Sequence, residues 1–336
     1  MDRWDRVGRL GGYGAALALT PYLLIKVSWV IAAALGIAPI GAGFDVTGWV
    51  ALNTVTVGMS AIGITVALAL VRPWGTRIPG RPLAFCAWVG TGFLVPLLPY
   101  AVLGSLLLPS DDGSRAGADD DPAMPGWEGV LVQLGFIGMG LGLALALPAY
   151  VRRRWPDVFT GRTGDGGQGP LRVPPWPTVT AAVIGAVWLY WAAGGTAGIA
   201  HPAQRDLSGR LIMGTLGGWA LLAAAATWSL TRGRPARLAR RVPLTACWLG
   251  SGTLFAWSAW KLPFTLCLAL ARPADPALPE NLAIAAVLHV AAVGTGAAML
   301  RELARAQGLR SGAGGAPRDR GGVTPGARRA SAGSSP

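Results

Sequence analysis

Charge is scarce in this chain. Only 13% of its 336 residues are charged, whereas 52% are hydrophobic and the mean hydropathy is +0.45. Soluble domains carry about 25% charged residues, so a water-soluble globule is excluded. Lysine is almost missing: of 29 basic residues all but Lys26 and Lys261 are arginine. Histidine is limited to His201 and His289, one expected in a loop and one in an apolar run, which argues against paired-histidine haem ligation. The three cysteines, Cys86, Cys247 and Cys267, lie in apolar runs without CxxC spacing, so neither a disulfide framework nor a cysteine metal site is indicated. None of the 16 acidic residues falls deep in an apolar run, which argues against a cation-coupled antiporter. No metal and no cofactor are implied.

What is present in abundance is long apolar sequence. Eight runs stand out, at 14–37, 49–71, 83–108, 129–151, 179–200, 211–230, 243–270 and 282–300, each near the roughly 20 residues that a helix needs to cross a bilayer. Such runs must be helical, because the hydrocarbon offers no partner for free backbone N–H and C=O groups. The alternating ten-residue segments of a membrane barrel are absent. Arginine accumulates in every second connection: Arg3, Arg6 and Arg9; Arg72, Arg77 and Arg81; Arg152 to Arg154 with Arg162 and Arg172; Arg232 to Arg241; and the tail from Arg301 to Arg329. Basic loops are retained on the cytoplasmic side, so a multi-pass protein of the cell membrane with both termini cytoplasmic is expected. The first run is too long for a signal-peptide core and reads as an uncleaved span. The net charge of +13 is then a matter of topology and of attraction to anionic lipid headgroups, and nucleic acid is not an expected partner.

The chain also repeats itself. A shift of 160 residues sets Arg72, Arg77 and Arg81 on Arg232, Arg237 and Arg241, and Trp88, Gly90, Gly92 and Leu94 on Trp248, Gly250, Gly252 and Leu254, with Thr91 meeting Ser251. Small adjustments superpose Asp45-Val46-Thr47-Gly48 on Asp206-Leu207-Ser208-Gly209, and Gly140-Leu141-Gly142 on Gly294-Thr295-Gly296. The expected fold class is therefore all-α, an eight-helix transmembrane bundle of two parallel four-helix repeats about a pseudo-two-fold axis along the membrane normal. The expected divisions are a cytoplasmic N-terminus at 1–11, repeat 1 at 12–151 with a flexible acidic outer loop at 109–125, a cytoplasmic linker at 152–176, repeat 2 at 177–303, and a disordered Arg-rich tail at 304–336. The Asp-rich loop, Asp111 to Asp121, lacks a helix that could fix metal-ligand spacing and reads as solvated.

Two lysines inside apolar runs are the strongest functional lead, since an ionisable group in a span costs about 2.5 to 3.5 kcal/mol on insertion scales and needs a partner. Lys26 lies three residues before Trp29, and Lys261 follows Trp257 and Trp260. They are not equivalent under the repeat. The nearest acids are Asp45, Glu128, Asp206 and Glu280, so ion pairing and snorkelling compete with a binding role. A ligand site built from Lys26, Trp29, Glu128, Trp257, Trp260, Lys261 and His289 would suit an anionic or amphipathic small molecule, with Glu128 as a displaceable counter-charge. Ser251 with His289 resembles the dyad of rhomboid-type intramembrane serine proteases. Leu249-Gly250-Ser251-Gly252 nevertheless departs from that family's Gly-x-Ser-Gly, and the family's spacing after the histidine is missing.

The Ala/Gly/Arg-rich, Lys-poor usage and the segment Pro21-Tyr22-Leu23-Leu24-Ile25-Lys26 with Trp29 resemble uncharacterised polytopic integral membrane proteins of high-GC actinobacteria. The resemblance implies no activity. The expected function is a permease-like or binding protein for an anionic or amphipathic molecule; the alternative is a membrane-embedded lipid-acting enzyme or an accessory or scaffold subunit, for which no catalytic set is recognisable.

Overall fold

A computed structural model describes residues 3–37, 45–107, 126–155, 160–163, 175–271 and 279–313. The acidic loop 109–125, most of the linker 152–176 and the tail beyond 313 lie outside the described residues. Helices run over Arg3–Ala34 (α1), Val46–Val71 (α2), Gly80–Leu94 (α3), Leu97–Leu107 (α4), Gly126–Arg154 (α5), Pro175–Ala192 (α6), Leu207–Arg232 (α7), Arg241–Ala271 (α8) and Leu282–Ala313 (α9). Among the described residues there is no strand, only isolated bridges between Arg162 and Ala239 and between Ile199 and Glu280. Seven stretches are long and apolar enough to cross a membrane: α1, α2, α3 with α4, α5, α7, α8 and α9.

Local chemistry sets several boundaries differently from the run lengths. The third run is divided because Pro96 and Pro99, three residues apart, each lack the N–H that would continue the ladder, and Leu98 N–H turns back to Val95 O instead. In α8 the single Pro263 is absorbed without a break. The fifth run ends at Ala192 rather than Ala200, where Gly194 takes a φ of +101° that side-chain-bearing residues rarely adopt. At the other extremes α1 begins at Arg3, and α9 continues to Ala313, past the expected start of the tail.

Buried apolar side chains gather into two cores. One is built by α1, α2, α3 and α5 around Leu19, Leu70, Trp88's neighbour Ala87, Met139 and Leu143; the other by α6 to α9 around Ile184, Trp188, Leu216, Leu254 and Met299. Within the first, α1 and α5 pack through small residues. A methyl on Gly11 would stand 2.9 Å from Gly142 O, and one on Gly138 would stand 2.5 Å from the Ala18 Cβ. Where apolar lipid competes with apolar side chains, close backbone approach of this kind is a main source of helix association. Arg153 fastens one end of this unit, donating to Leu70 O at the close of α2 (2.7 Å) and lying 3.8 Å from Asp5.

The related tetrapeptides are N-caps. Asp45 accepts from Gly48 N–H at 2.9 Å and Asp206 from Gly209 N–H at 2.7 Å, each in extended backbone and each opening a 26-residue helix, α2 and α7. An aspartate there satisfies a free N–H of the first turn.

Candidate functional site

The two cores meet along α3 and α8. Trp88 Nε1 donates to Ser251 Oγ at 3.2 Å, and Trp248 Nε1 donates to Thr91 Oγ1, also at 3.2 Å. Between these bonds the helices touch at Gly92 and Gly252, where a methyl on Gly92 would come within 2.2 Å of the Gly252 carbonyl carbon. Farther along, Trp257 lies stacked on Phe93 at 4.6 Å and donates to Phe93 O at 3.1 Å. Trp257 therefore belongs to this seam.

Lys26 is buried on α1, its Nζ 4.0 Å from the centroid of the Trp29 ring and 5.7 Å from that of Tyr22. Trp29 stacks on Trp49 of α2 at 5.6 Å. Glu128, in the first turn of α5, is hydrogen-bonded by Trp29 and lies in the field of Lys26. These three form one group within the first core: a cation against an aromatic face, with a carboxylate as counter-charge.

The second lysine sits in different company. The charges acting on half-buried Lys261 are the Glu280 carboxylate and the Arg205 guanidinium, and Lys261 acts in turn on His289. His289, on α9, is buried and shares a 3.2 Å hydrogen bond between Nδ1 and Ser258 Oγ of α8. Glu280 is buried in the connection before α9, held by its bridge to Ile199. Arg205 donates to Trp191 O at 3.0 Å. Trp260 packs edge-on against Phe264 at 5.3 Å.

The seven residues expected to share a ligand site thus fall into two clusters: Lys26, Trp29 and Glu128 in one, Lys261 and His289 in the other. Trp257 lies on the seam and Trp260 against its own helix. The departures from the serine protease pattern have a structural counterpart: Ser251 accepts from Trp88 and donates to Trp248 O, while His289 is bonded to Ser258. Both hydrogen-bond elsewhere, so the dyad is not assembled. Arg205 and Ser258 join the Lys261 cluster without a signal in the sequence beyond Ser258 lying three residues before Lys261. Among the described residues no group of three or more His, Cys, Asp and Glu could hold a metal ion.

Comparison with known proteins finds no family model, no curated protein and no solved structure that matches this chain.

Proposed function

We propose that the chain is an eight-crossing membrane protein of two parallel four-helix units, with both termini cytoplasmic, that binds an anionic small molecule at the Arg205, Lys261 and His289 cluster. The observation that carries the ligand class is an imbalance. Among the described residues, Lys26 lies in the field of Glu128, whereas Lys261 lies in the fields of both the Arg205 guanidinium and the Glu280 carboxylate. Two half-buried cations held close together favour an anion that lies between them. His289 and Ser258 beside it supply neutral hydrogen-bonding groups that fix orientation.

The two-unit architecture is supported by reciprocity. Under the 160-residue shift Trp88 corresponds to Trp248 and Thr91 to Ser251, so the two indole bonds are one contact made twice, as expected across a two-fold axis. The matching caps at Asp45 and Asp206 support it independently. Sidedness is tested by cysteine labelling: Thr76→Cys is expected to react only after permeabilisation of intact cells, and Gln204→Cys without it.

The binding reading is tested by the thermal stability of detergent-purified protein with citrate, glutamate, inorganic phosphate and octanoate. A ligand that binds only the folded state raises the midpoint by mass action. We expect at least one anion to raise it in the wild type and in Lys26→Met but not in Lys261→Met. A panel that moves no midpoint, with Lys261→Met as stable as the parent, overturns the reading and favours a scaffold role.

A further inference from the structure

A cleft of about 490 Å³ opens between α4, α6 and α7; none of its lining residues belongs to either lysine cluster, although Arg205 precedes Leu207 by two residues. Its walls are Pro99 and Leu103 of α4 and one stripe of α7 from Leu207 through Leu211, Gly218 and Leu222. The volume falls in the range of roughly 300 to 1,000 Å³ typical of small-molecule sites. Three properties narrow its occupant.

The first is its open middle. Gly218 is exposed, and a methyl built on it would meet no heavy atom of the described residues within 4 Å, so the cleft is open at this point. Thr215, the polar residue nearest, returns its hydroxyl to Leu211 O at 2.9 Å, which leaves the stripe apolar.

The second is length. The sixteen residues of helix from Leu207 to Leu222 span about 22 Å, more than the roughly 15 Å depth of one leaflet's hydrocarbon. An extended chain lying along α7 fits that shape better than a compact solute. Leu103, Leu207 and Leu222 are all exposed, so the cleft is open to whatever surrounds the bundle.

The third is charge. Arg210 is the charged residue in the lining, one turn into α7 beyond the Asp206 cap. Its Nε donates to Ala192 O at 3.0 Å, and a guanidinium has five N–H donors, so the others can serve an anion. Asp206 turns its carboxylate to Gly209 N–H. The N-terminal end of α7 adds its own positive dipole.

We propose that this cleft is a lipid site that takes one acyl chain of an anionic phospholipid along α7, with the phosphate at Arg210. It does not rest on the Lys261 reading, and either can fail alone. The test is native mass spectrometry of the full chain in detergent, titrated with phosphatidylglycerol or with phosphatidylcholine of the same acyl chains. One phosphatidylglycerol per chain is expected to be held about fivefold more tightly than phosphatidylcholine, the contribution of one basic residue near a membrane surface. Gly218→Phe should lose that lipid, because the ring occupies the open space beside α7, whereas Gly58→Phe, at an equally open position on α2, should keep it. Arg210→Gln should bring the two lipids level. Equal retention of both by the wild type, retention of phosphatidylglycerol by Gly218→Phe, or competition by inorganic phosphate alone overturns the proposal. So does a lipid-free dimer, which would assign the cleft to a second copy.

Discussion

Gly92 of α3 and Gly252 of α8 meet backbone to backbone, closely enough that a methyl on the first would lie 2.2 Å from the carbonyl carbon of the second. No flexible side-chain end is available to yield there, so the helices themselves must separate. Gly92→Ala is expected to lower stability by about 1 to 3 kcal/mol, the usual cost of overpacking. Gly58→Ala, facing open space on α2, should stay within about 0.5 kcal/mol of the parent. Unfolding midpoints in one detergent compare the pair.

The two indole bonds across this seam should behave alike. Trp88→Phe leaves Ser251 without its indole donor, and Trp248→Phe leaves Thr91 without its own. Hydrogen bonds between membrane helices average about 0.6 kcal/mol with a maximum near 1.7. We expect each bond to contribute within that range, measured as the coupling between Trp88→Phe and Ser251→Ala and between Trp248→Phe and Thr91→Val. Coupling in only one cycle would mean that the two contacts are not energetic equivalents.

Lys26 and Glu128 should be worth less as a pair than either is alone. Lys26→Met removes the positive field from a half-buried carboxylate beside Trp29, and Glu128→Gln removes the negative field from a buried ammonium. Each single change is expected to cost about 1 to 3 kcal/mol, the penalty of an unsatisfied buried polar group. The double variant should recover part of it, because replacing both members of a buried pair is often close to neutral. A double variant less stable than both singles would show that the lysine acts through its aromatic neighbours instead.

Asp45→Ala and Asp206→Ala each remove an N-cap from a long helix. Each should cost about 1 kcal/mol, with asparagine restoring most of it, since its side-chain oxygen can accept the same bond. Thermal midpoints of the four variants check this.

Much of the architecture is legible in the sequence because a bilayer leaves a long apolar run few choices. The matched Asp tetrapeptides and the Trp and Gly matches are legible because they are local signals at fixed spacing, whereas the capping role of the two aspartates emerges only in the structure. Pro96 with Pro99 ends a helix and Pro263 does not, and the difference lies in how many ladder bonds are lost within one turn and in what packs around them. The end of α6 was hidden because Ala193 to Ala200 is as apolar as a span, although the glycines there turn the chain. The partners of the lysines could be narrowed to a few acids near helix starts, but choosing Glu128 for one and Glu280 for the other depends on which helix faces lie side by side. One-dimensional spacing does not contain that. Arg205 looked like loop charge for the same reason.

Arg205 and Arg210 hold the last carbonyls of α6, at Trp191 and Ala192. At 18 residues, α6 is about 27 Å long, short of the roughly 30 Å hydrocarbon core, and it carries Pro175, Pro177 and three tryptophans. Its end is satisfied by side chains that follow it in the chain, so α6 is closed only once the start of α7 lies against it, and the two helices depend on each other for their own termini.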